Sequence, residues 1–206
     1  VLIDSKIEFY DKTIKQFVGN KKVIVYGSVE NSDYTKIINT ICSRKDIKHI
    51  VVPHEINNKT IQHLKEKISD NVLLYSNMRN SASTNSNILI VDVFGLLKHL
   101  YRFSQIAYIG GGFNNGVHNT LEPAIHGNFI IFGPKHQSFP ETFTLIKKEI
   151  AEVVKNKLDF EKNVNRFLEK KSSKEKIINL ISFLFNEKRV DLDFIINYMK
   201  KENNFF

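Results

Sequence analysis

The stretch of this chain best suited to hold a ligand runs from Tyr108 to Pro134, YIGGGFNNGVHNTLEPAIHGNFIIFGP. Gly110, Gly111 and Gly112 end an apolar run, and HNTLEP then predicts the start of a helix. Because glycine lacks a Cβ, the backbone can approach an oxygen-rich ligand and point N–H groups at it. A helix N-terminus adds further N–H groups and a partial positive charge. The stretch therefore predicts a phosphate site.

The HNTLEP segment, His118 to Pro123, has two interpretations. Asn119 or Thr120 stands where a helix cap belongs, and Glu122 suits a first helical turn without any ligand. The same side chains could bind a nucleotide, with Asn119 and Thr120 facing a phosphate and Glu122 accepting hydrogen bonds from ribose hydroxyls. The spacing favours neither interpretation over the other.

Unusual residues also follow three other predicted strands. They are Gly27 and Ser28 after the first strand, Pro53, His54 and Glu55 after the second, and Asp92 after the fourth. Ligands of open α/β sheets bind in the crevice at the carboxyl ends of the strands. The convergence of these residues with the glycine stretch indicates a site more strongly than any single motif. His54 could donate to a phosphate there or be a surface residue without a role.

Several other kinds of site fit poorly. No Gly-Lys-Ser/Thr follows the glycines, which excludes a Walker A loop, and the glycine spacing departs from the dinucleotide-binding fingerprint. The histidines show no metal-ligand spacing, so we expect no metal and no cofactor. The single cysteine, Cys42, cannot form an internal disulfide, and a reducing compartment is expected.

The net charge is +8, from 30 Lys and Arg against 22 Asp and Glu. The basic residues are scattered and concentrate in the C-terminal third, without an aromatic-interleaved RNA-binding motif, so no nucleic-acid partner is expected. A basic chain suits small anionic substrates or an anionic membrane surface. No apolar run approaches the roughly 20 residues of a membrane span, so no transmembrane segment is expected.

Apolar runs alternate with amphipathic segments from about residue 20 to residue 150. The predicted strands are KVIVYGS, IKHIVVPHE, NVLLYS, NILIVD, IAYIGGG and NFIIFGP. Short strands that are apolar throughout favour a parallel sheet covered on both faces, and the alternation predicts a doubly wound α/β, Rossmann-like domain. We assign this domain to residues 1–158. Residues 159–206 have helical periodicity and are predicted to form a helical C-terminal tail of the same domain.

The segment from Gly110 to Pro134 closely resembles the C-terminal, donor-binding half of 3-deoxy-D-manno-octulosonic acid (Kdo) transferases. VIVYGSVENSD, IVVPHEI and ILIVDVFGLLKHLYRFSQIAYIGGGF stand in the expected order, and the resemblance covers about residues 20 to 145. It implies a GT-B architecture, a CMP-Kdo donor and a lipid A precursor as acceptor, on the cytoplasmic face of the inner membrane. It also implies that no metal is needed.

By the same resemblance, the catalytic base is a glutamate of an N-terminal domain that these 206 residues lack, so the chain alone is expected to be inactive. The resemblance and the strand ends together predict the following donor-binding residues: Gly27, Ser28, Pro53, His54, Gly110, Gly111, Gly112, His118, Asn119, Thr120 and Glu122. Many members of the family have an arginine beside the histidine that corresponds to His54, and a glutamate that corresponds to Leu96. This chain lacks both, so one positive and one negative group that could orient the donor are missing.

Two alternatives stay open. The domain could serve a GT-B transferase that uses a UDP- or GDP-sugar, or it could be a non-catalytic module that keeps the fold and pairs with a partner chain or a membrane. The nucleotide that binds discriminates the first alternative from the Kdo transferase interpretation.

Overall fold

The structure is a computed structural model that describes residues 12–68, 71–80, 85–169 and 174–183. Within these ranges the strands are β1 (Val23–Val29), β2 (Lys48–Pro53), β3 (Val72–Leu74), β4 (Ile88–Ile90), β5 (Ile106–Ile109), β6 (Phe129–Phe132) and β7 (Ala151–Val153). All pairings among them are parallel. The seven described strands form one sheet in the order β3-β4-β2-β1-β5-β6-β7.

Helices connect the strands and cover both faces of the sheet. They are α1 (Lys12–Val18), α2 (Asn31–Ser43), α3 (Asn58–Ile68), α4 (Leu97–Leu100), α5 (Leu121–Ile125), α6 (Pro140–Lys147) and α7 (Lys157–Glu169), followed by helical residues 174–183. Two 3-10 turns, Tyr75–Asn80 and Tyr101–Phe103, follow β3 and α4. The doubly wound Rossmann-like fold that the sequence predicts is confirmed.

The strand period of two divides the core into two apolar layers. Val23 and Val25 of β1 pack in the layer that includes α1, α5 and α6, whereas Ile24 and Tyr26 pack in the layer that includes α2, α3 and α7. Successive side chains of a strand point to opposite faces, so a strand that is apolar at every position fits a sheet covered on both sides. This explains why the apolar runs predicted the strands so well.

The chain reverses its direction of winding between β1 and β5. Strands β2, β3 and β4 lie on one side of β1, and β5, β6 and β7 lie on the other. The connections leave the carboxyl ends of β1 and β5 in opposite directions, which opens a crevice at that edge of the sheet. The predicted glycine residues end these two strands.

Three elements escaped prediction: α1, α6 and β7. α1 precedes the region where the sequence pattern was clear, and β7 carries Glu152 in a three-residue strand at the edge of the sheet. Because the charged Glu152 is the middle residue of β7, this strand has no continuous apolar run. The Glu152 carboxylate accepts a 2.5 Å hydrogen bond from Arg166 of α7. The six strands that were predicted are all present.

The predicted helical tail is present in part. α7 buries Phe160 and Val164 against the sheet, and Ile177 and Ile181 of helical residues 174–183 are buried on the opposite face. The helix predicted over residues 191–202 lies outside the described residues, and the domain boundary at residue 158 stays a prediction. No helix in the described part of the chain is both long and apolar enough to span a bilayer.

Candidate functional site

The glycines at the ends of β1 and β5 bring the two strands into close backbone contact. Gly110 N–H donates to the Gly27 carbonyl over 2.9 Å. A Cβ on Gly110 would lie 2.2 Å from the Ser28 carbonyl oxygen, and one on Gly27 would lie 2.1 Å from the Tyr101 hydroxyl. Ser28 itself has φ +52°, a left-handed conformation that costs a non-glycine residue about 1 kcal/mol. Packing between the two strands therefore requires Gly110, whereas Gly27 makes room for the Tyr101 side chain.

Protein atoms also fill the space beside Gly111 and Gly112. A Cβ on Gly112 would lie 2.6 Å from the Gly133 nitrogen, and Gly111 has φ +86°. Gly111 N–H donates to Asp33 Oδ2 over 3.1 Å. We predicted that the glycines would open the backbone to a ligand. Instead, neighbouring backbone fills the space that a Cβ would take, and the N–H groups of Gly110 and Gly111 already donate within the protein.

Asp33 joins the glycine loop to the start of α2. Its carboxylate accepts hydrogen bonds from Glu30 N–H at 2.8 Å, from Gly111 N–H and from the Tyr108 hydroxyl at 2.7 Å. Burial raises the pKa of Asp33, and these three hydrogen bonds oppose that rise by stabilising the carboxylate. The buried Asp33 carboxylate thus holds the glycine loop against the start of α2.

Asn119 caps α5, as the capping interpretation of HNTLEP predicted. Its Oδ1 accepts hydrogen bonds from Leu121 N–H at 3.0 Å and Glu122 N–H at 3.3 Å. α5 has five residues, and these are two of its first N–H groups. The expectation that this helix start offers free N–H groups to a phosphate is therefore weakened, because Asn119 already occupies them. A role for the exposed Asn119 side chain in donor binding stays a prediction.

The side chains of Thr120 and Glu122 have different surroundings. Thr120 is fully buried, and its hydroxyl lies 3.5 Å from Glu141 Oε1, so its side chain faces the interior. Glu122 is half-buried and close enough to Tyr101 for its charge to raise the pKa of that phenol, after the larger effect of burial. The Thr120 side chain thus does not face the crevice. Their roles toward a donor stay predictions.

His54, His118 and Glu30 form a compact polar cluster at the same edge. The rings of His54 and His118 stack with centroids 4.4 Å apart and planes 16° apart. His118 Nε2 lies 3.1 Å from Glu30 Oε1, and Asn114 Nδ2 donates to the other Glu30 oxygen over 2.8 Å. His54 follows Pro53, whose partner in the sheet register is Val29. Pairing of β1 with β2 therefore brings His54 to Glu30.

A cavity of about 510 Å³ opens beside this cluster. Its walls are the start of α2, the residues after β2, the start of α3 and the loop after β5. The lining residues include Glu30, Ser32, Tyr34, His54, Thr60 and Asn114. Among the described residues, none forms a hydrogen bond with the buried Ser32 hydroxyl. The cavity is thus polar and lies where an open α/β sheet binds ligands.

Two residues of this edge escaped prediction as site residues. Glu30 and Asp33 are three apart at the start of α2 and form reciprocal contacts with the helix backbone, a capping box in which Glu and Asp replace the usual residues. This spacing could have been read from the sequence. Asp92, noted as a strand end, instead accepts hydrogen bonds from Ser76 N–H and Oγ and holds the turn after β3.

Comparison with known proteins places these observations in a family context. No family model matches the chain. A bifunctional glycosyltransferase/methyltransferase of Fusobacterium nucleatum is 31% identical over 190 residues, which cover 90% of this chain and 29% of that protein. The Kdo transferase of Rickettsia prowazekii is 27% identical over 88% of this chain and 41% of its own length. That of Aquifex aeolicus is 33% identical over 62% of this chain and 36% of its own length.

The resemblance to the Kdo transferases is confirmed. Among solved structures, the C-terminal CMP-Kdo binding domain of WaaA from Acinetobacter baumannii matches with a TM-score of 0.70 and 19% identity, over 84% of this chain and 97% of that one. UDP-GlcNAc 2-epimerase from Neisseria meningitidis matches with a TM-score of 0.58 and 15% identity, and the match covers 92% of this chain and 50% of that one. These two likenesses concern the fold. The chain spans between 29% and 41% of the length of the three curated relatives named above.

Proposed function

We propose that this chain is the donor-binding half of a glycosyltransferase that transfers Kdo from CMP-Kdo to a lipid A precursor in lipopolysaccharide biosynthesis. The main support is its sequence similarity to the Kdo transferases of Rickettsia prowazekii and Aquifex aeolicus. The fold agrees, since the WaaA domain named for CMP-Kdo binding is covered almost completely. An N-terminal domain would supply the catalytic base and the second wall of the crevice.

The crevice at the carboxyl ends of β1 and β5 is the best place for the donor, and the polar cavity beside β1 is one part of it. The cavity lies at the switch point of the sheet, and its volume of about 510 Å³ lies within the range of small-molecule sites. His54 is exposed at the mouth and can donate to a phosphate oxygen.

The reaction would be an inverting displacement. The hydroxyl of the acceptor attacks the anomeric carbon of Kdo, the bond to the CMP phosphate breaks, and a base outside this chain takes the hydroxyl proton. The residues of this chain would bind the nucleotide and stabilise the negative charge of the departing CMP. A well-placed donor at such a position is typically worth about 10²–10³ in rate.

The acceptor implies a position at the membrane surface. We propose that the protein works at the cytoplasmic face of the inner membrane as a peripheral protein. The net charge of +8 agrees with this, because basic residues near an anionic leaflet each contribute about 1 kcal/mol of attraction.

Nucleotide titration followed by NMR amide shifts tests the donor assignment. We expect CMP to shift the amides of Ser28, His54 and Asn119, with UMP and NAD as controls. A preference for UMP would replace the donor by a UDP-sugar, which the fold shared with UDP-GlcNAc 2-epimerase makes the second candidate. Absence of shifts with all three nucleotides would contradict donor binding by this chain.

Variants test the individual residues. We expect Glu122→Ala and Asn119→Ala each to weaken CMP binding while the protein stays folded, because one removes an acceptor for ribose hydroxyls and the other a polar group at the crevice. Glu152→Ala, on β7 at the far edge of the sheet, is the matched control. Unchanged CMP affinity in a folded double variant would remove both residues from the site.

A further inference from the structure

The two histidines and the glutamate at the carboxyl edge form a ligand set for a metal ion. One ligand atom from each of Glu30, His54 and His118 can be chosen so that all three lie within 4.8 Å of one another. Ligands of a tetrahedral zinc ion at its usual bond length of about 2.1 Å lie roughly 3.4 Å apart. The pair His118 Nε2 and Glu30 Oε1, at 3.1 Å, already has this spacing.

We propose that Glu30, His54 and His118 bind a divalent transition metal ion such as Zn²⁺. Two imidazoles and one carboxylate are a common zinc ligand set, and imidazole disfavours Mg²⁺ and Ca²⁺, which select oxygen. The rings of His54 and His118 are stacked, so the exposed His54 ring must turn out of this stack to point a nitrogen at the metal. His118 would bind the metal through Nε2, the ring nitrogen that lies 3.1 Å from Glu30 Oε1.

The surroundings of the three residues support this site independently of their spacing. Asn114 donates to Glu30 Oε2, which orients the carboxylate in the way that outer-shell partners orient metal ligands. Glu30 and His54 also line the cavity, so a fourth coordination position would face open space. An oxygen of a phosphate or a water could complete the coordination there. The proposal concerns binding, assigns the metal no catalytic step and does not depend on the proposed function.

The three residues come from distant parts of the sequence. Glu30 and His118 are 88 positions apart, and His54 lies between them. Metal motifs are recognised from short spacings, which explains why the sequence predicts no metal. The parallel pairing of β1 with β2 and β5 brings the three side chains to one edge.

Calorimetric titration of the metal-free 206-residue chain with ZnCl₂ tests the proposal. We expect one Zn²⁺ per chain, with X-ray absorption showing nitrogen and oxygen ligands, and no comparable binding of Mg²⁺. His54→Gln and His118→Gln should each weaken Zn²⁺ binding on the order of 100-fold, since even outer-shell partners contribute about 10- to 100-fold. His63→Gln, a half-buried histidine of α3 that belongs to no such cluster among the described residues, is the matched control.

Two results would overturn the proposal. One is the absence of stoichiometric Zn²⁺ binding to the folded chain. The other is equal Zn²⁺ affinity in the wild type, His54→Gln and His118→Gln, which would assign the metal to other histidines. Circular dichroism of each variant distinguishes lost ligands from lost folding. Because CMP is absent from this titration, its result is separate from that of the nucleotide experiment.

Discussion

The two ends of β2 each carry a histidine, and the two residues have opposite properties. His49, near the start, is fully buried; its Nε2 donates to the Arg44 carbonyl at 2.9 Å and its Nδ1 accepts from the Tyr26 hydroxyl at 3.0 Å. His54, one residue past the end, is exposed and stacks on His118. The same residue type is thus a buried structural group inside the sheet and an exposed group beside a cavity at its edge. Position relative to the strand end decides which role it has.

The difference extends to the neighbouring residues. Around His49 every polar atom discussed above has a partner within the protein, which suits a group that must stay neutral in the core. Around His54 the polar groups face a cavity, and the buried Ser32 hydroxyl has no partner among the described residues. The polar groups at the carboxyl edge thus line an open cavity, whereas both ring nitrogens of His49 have partners within the protein. Four predictions, from the largest effect to the smallest, test this comparison.

Gly110→Ala tests whether the carboxyl edge depends on backbone packing. A Cβ 2.2 Å from the Ser28 carbonyl must displace β1 or β5, so we expect a loss of about 3 kcal/mol or more in the free energy of unfolding. Urea denaturation measures it. Gly95→Ala is the control, since Gly95 has φ +85° but open space around it, and should cost about 1 kcal/mol. Equal losses in the two variants would contradict the packing argument.

His49 should make the stability of the protein depend on pH. Burial lowers the pKa of His49 from 6.5 to about 4, so the unfolded chain binds the proton more readily than the folded one. Stability is therefore full above about pH 6.5 and falls as the pH decreases toward 4, by about 3 kcal/mol in total.

Urea denaturation at several pH values checks this prediction. His49→Gln should show a weaker pH dependence than the wild type between pH 6.5 and 4, because it removes the buried imidazole. Identical profiles for wild type and His49→Gln would show that other groups cause the acid destabilisation.

Asn119→Ala separates capping from ligand binding. Loss of the hydrogen bonds to Leu121 N–H and Glu122 N–H should cost about 1 kcal/mol of stability. Asn119→Ser, which keeps a capping oxygen, should restore most of that stability. If the serine variant is stable but binds CMP as weakly as the alanine variant, Asn119 contacts the donor. Full CMP affinity in the serine variant would limit Asn119 to capping.

His54→Gln should have the smallest effect on stability, within about 0.5 kcal/mol, because exposed side chains contribute little to it. Thermal unfolding without metal measures this. In the presence of Zn²⁺ the wild type should gain stability and the variant should gain much less, since a ligand that binds only the folded state stabilises it. A loss of several kcal/mol in metal-free His54→Gln would show that His54 is a structural residue like His49.

Much of the fold followed from local patterns. Six strands were predicted because each is apolar on both faces, and α3 was predicted over Asn58–Ile68 as observed. β7 was missed because a half-buried edge strand with Glu152 has no such signature. Within the site, the expected convergence of strand ends holds for Gly27 with Gly110 and for His54 with His118, since parallel strands bring their carboxyl ends to one edge. It does not hold for Asp92, which contacts Ser76 instead.

The sequence by itself determined the alternation of strands and helices and the glycines near the ends of β1 and β5, because each depends on residues close together in the chain. Only the tertiary structure decided that the glycines serve contacts between strands, that Thr120 faces the interior and that His49 is buried while His54 is exposed. It also brought Glu30 to His118 across 88 positions. Strand order and register control these contacts, and both arise from the packing of the whole sheet.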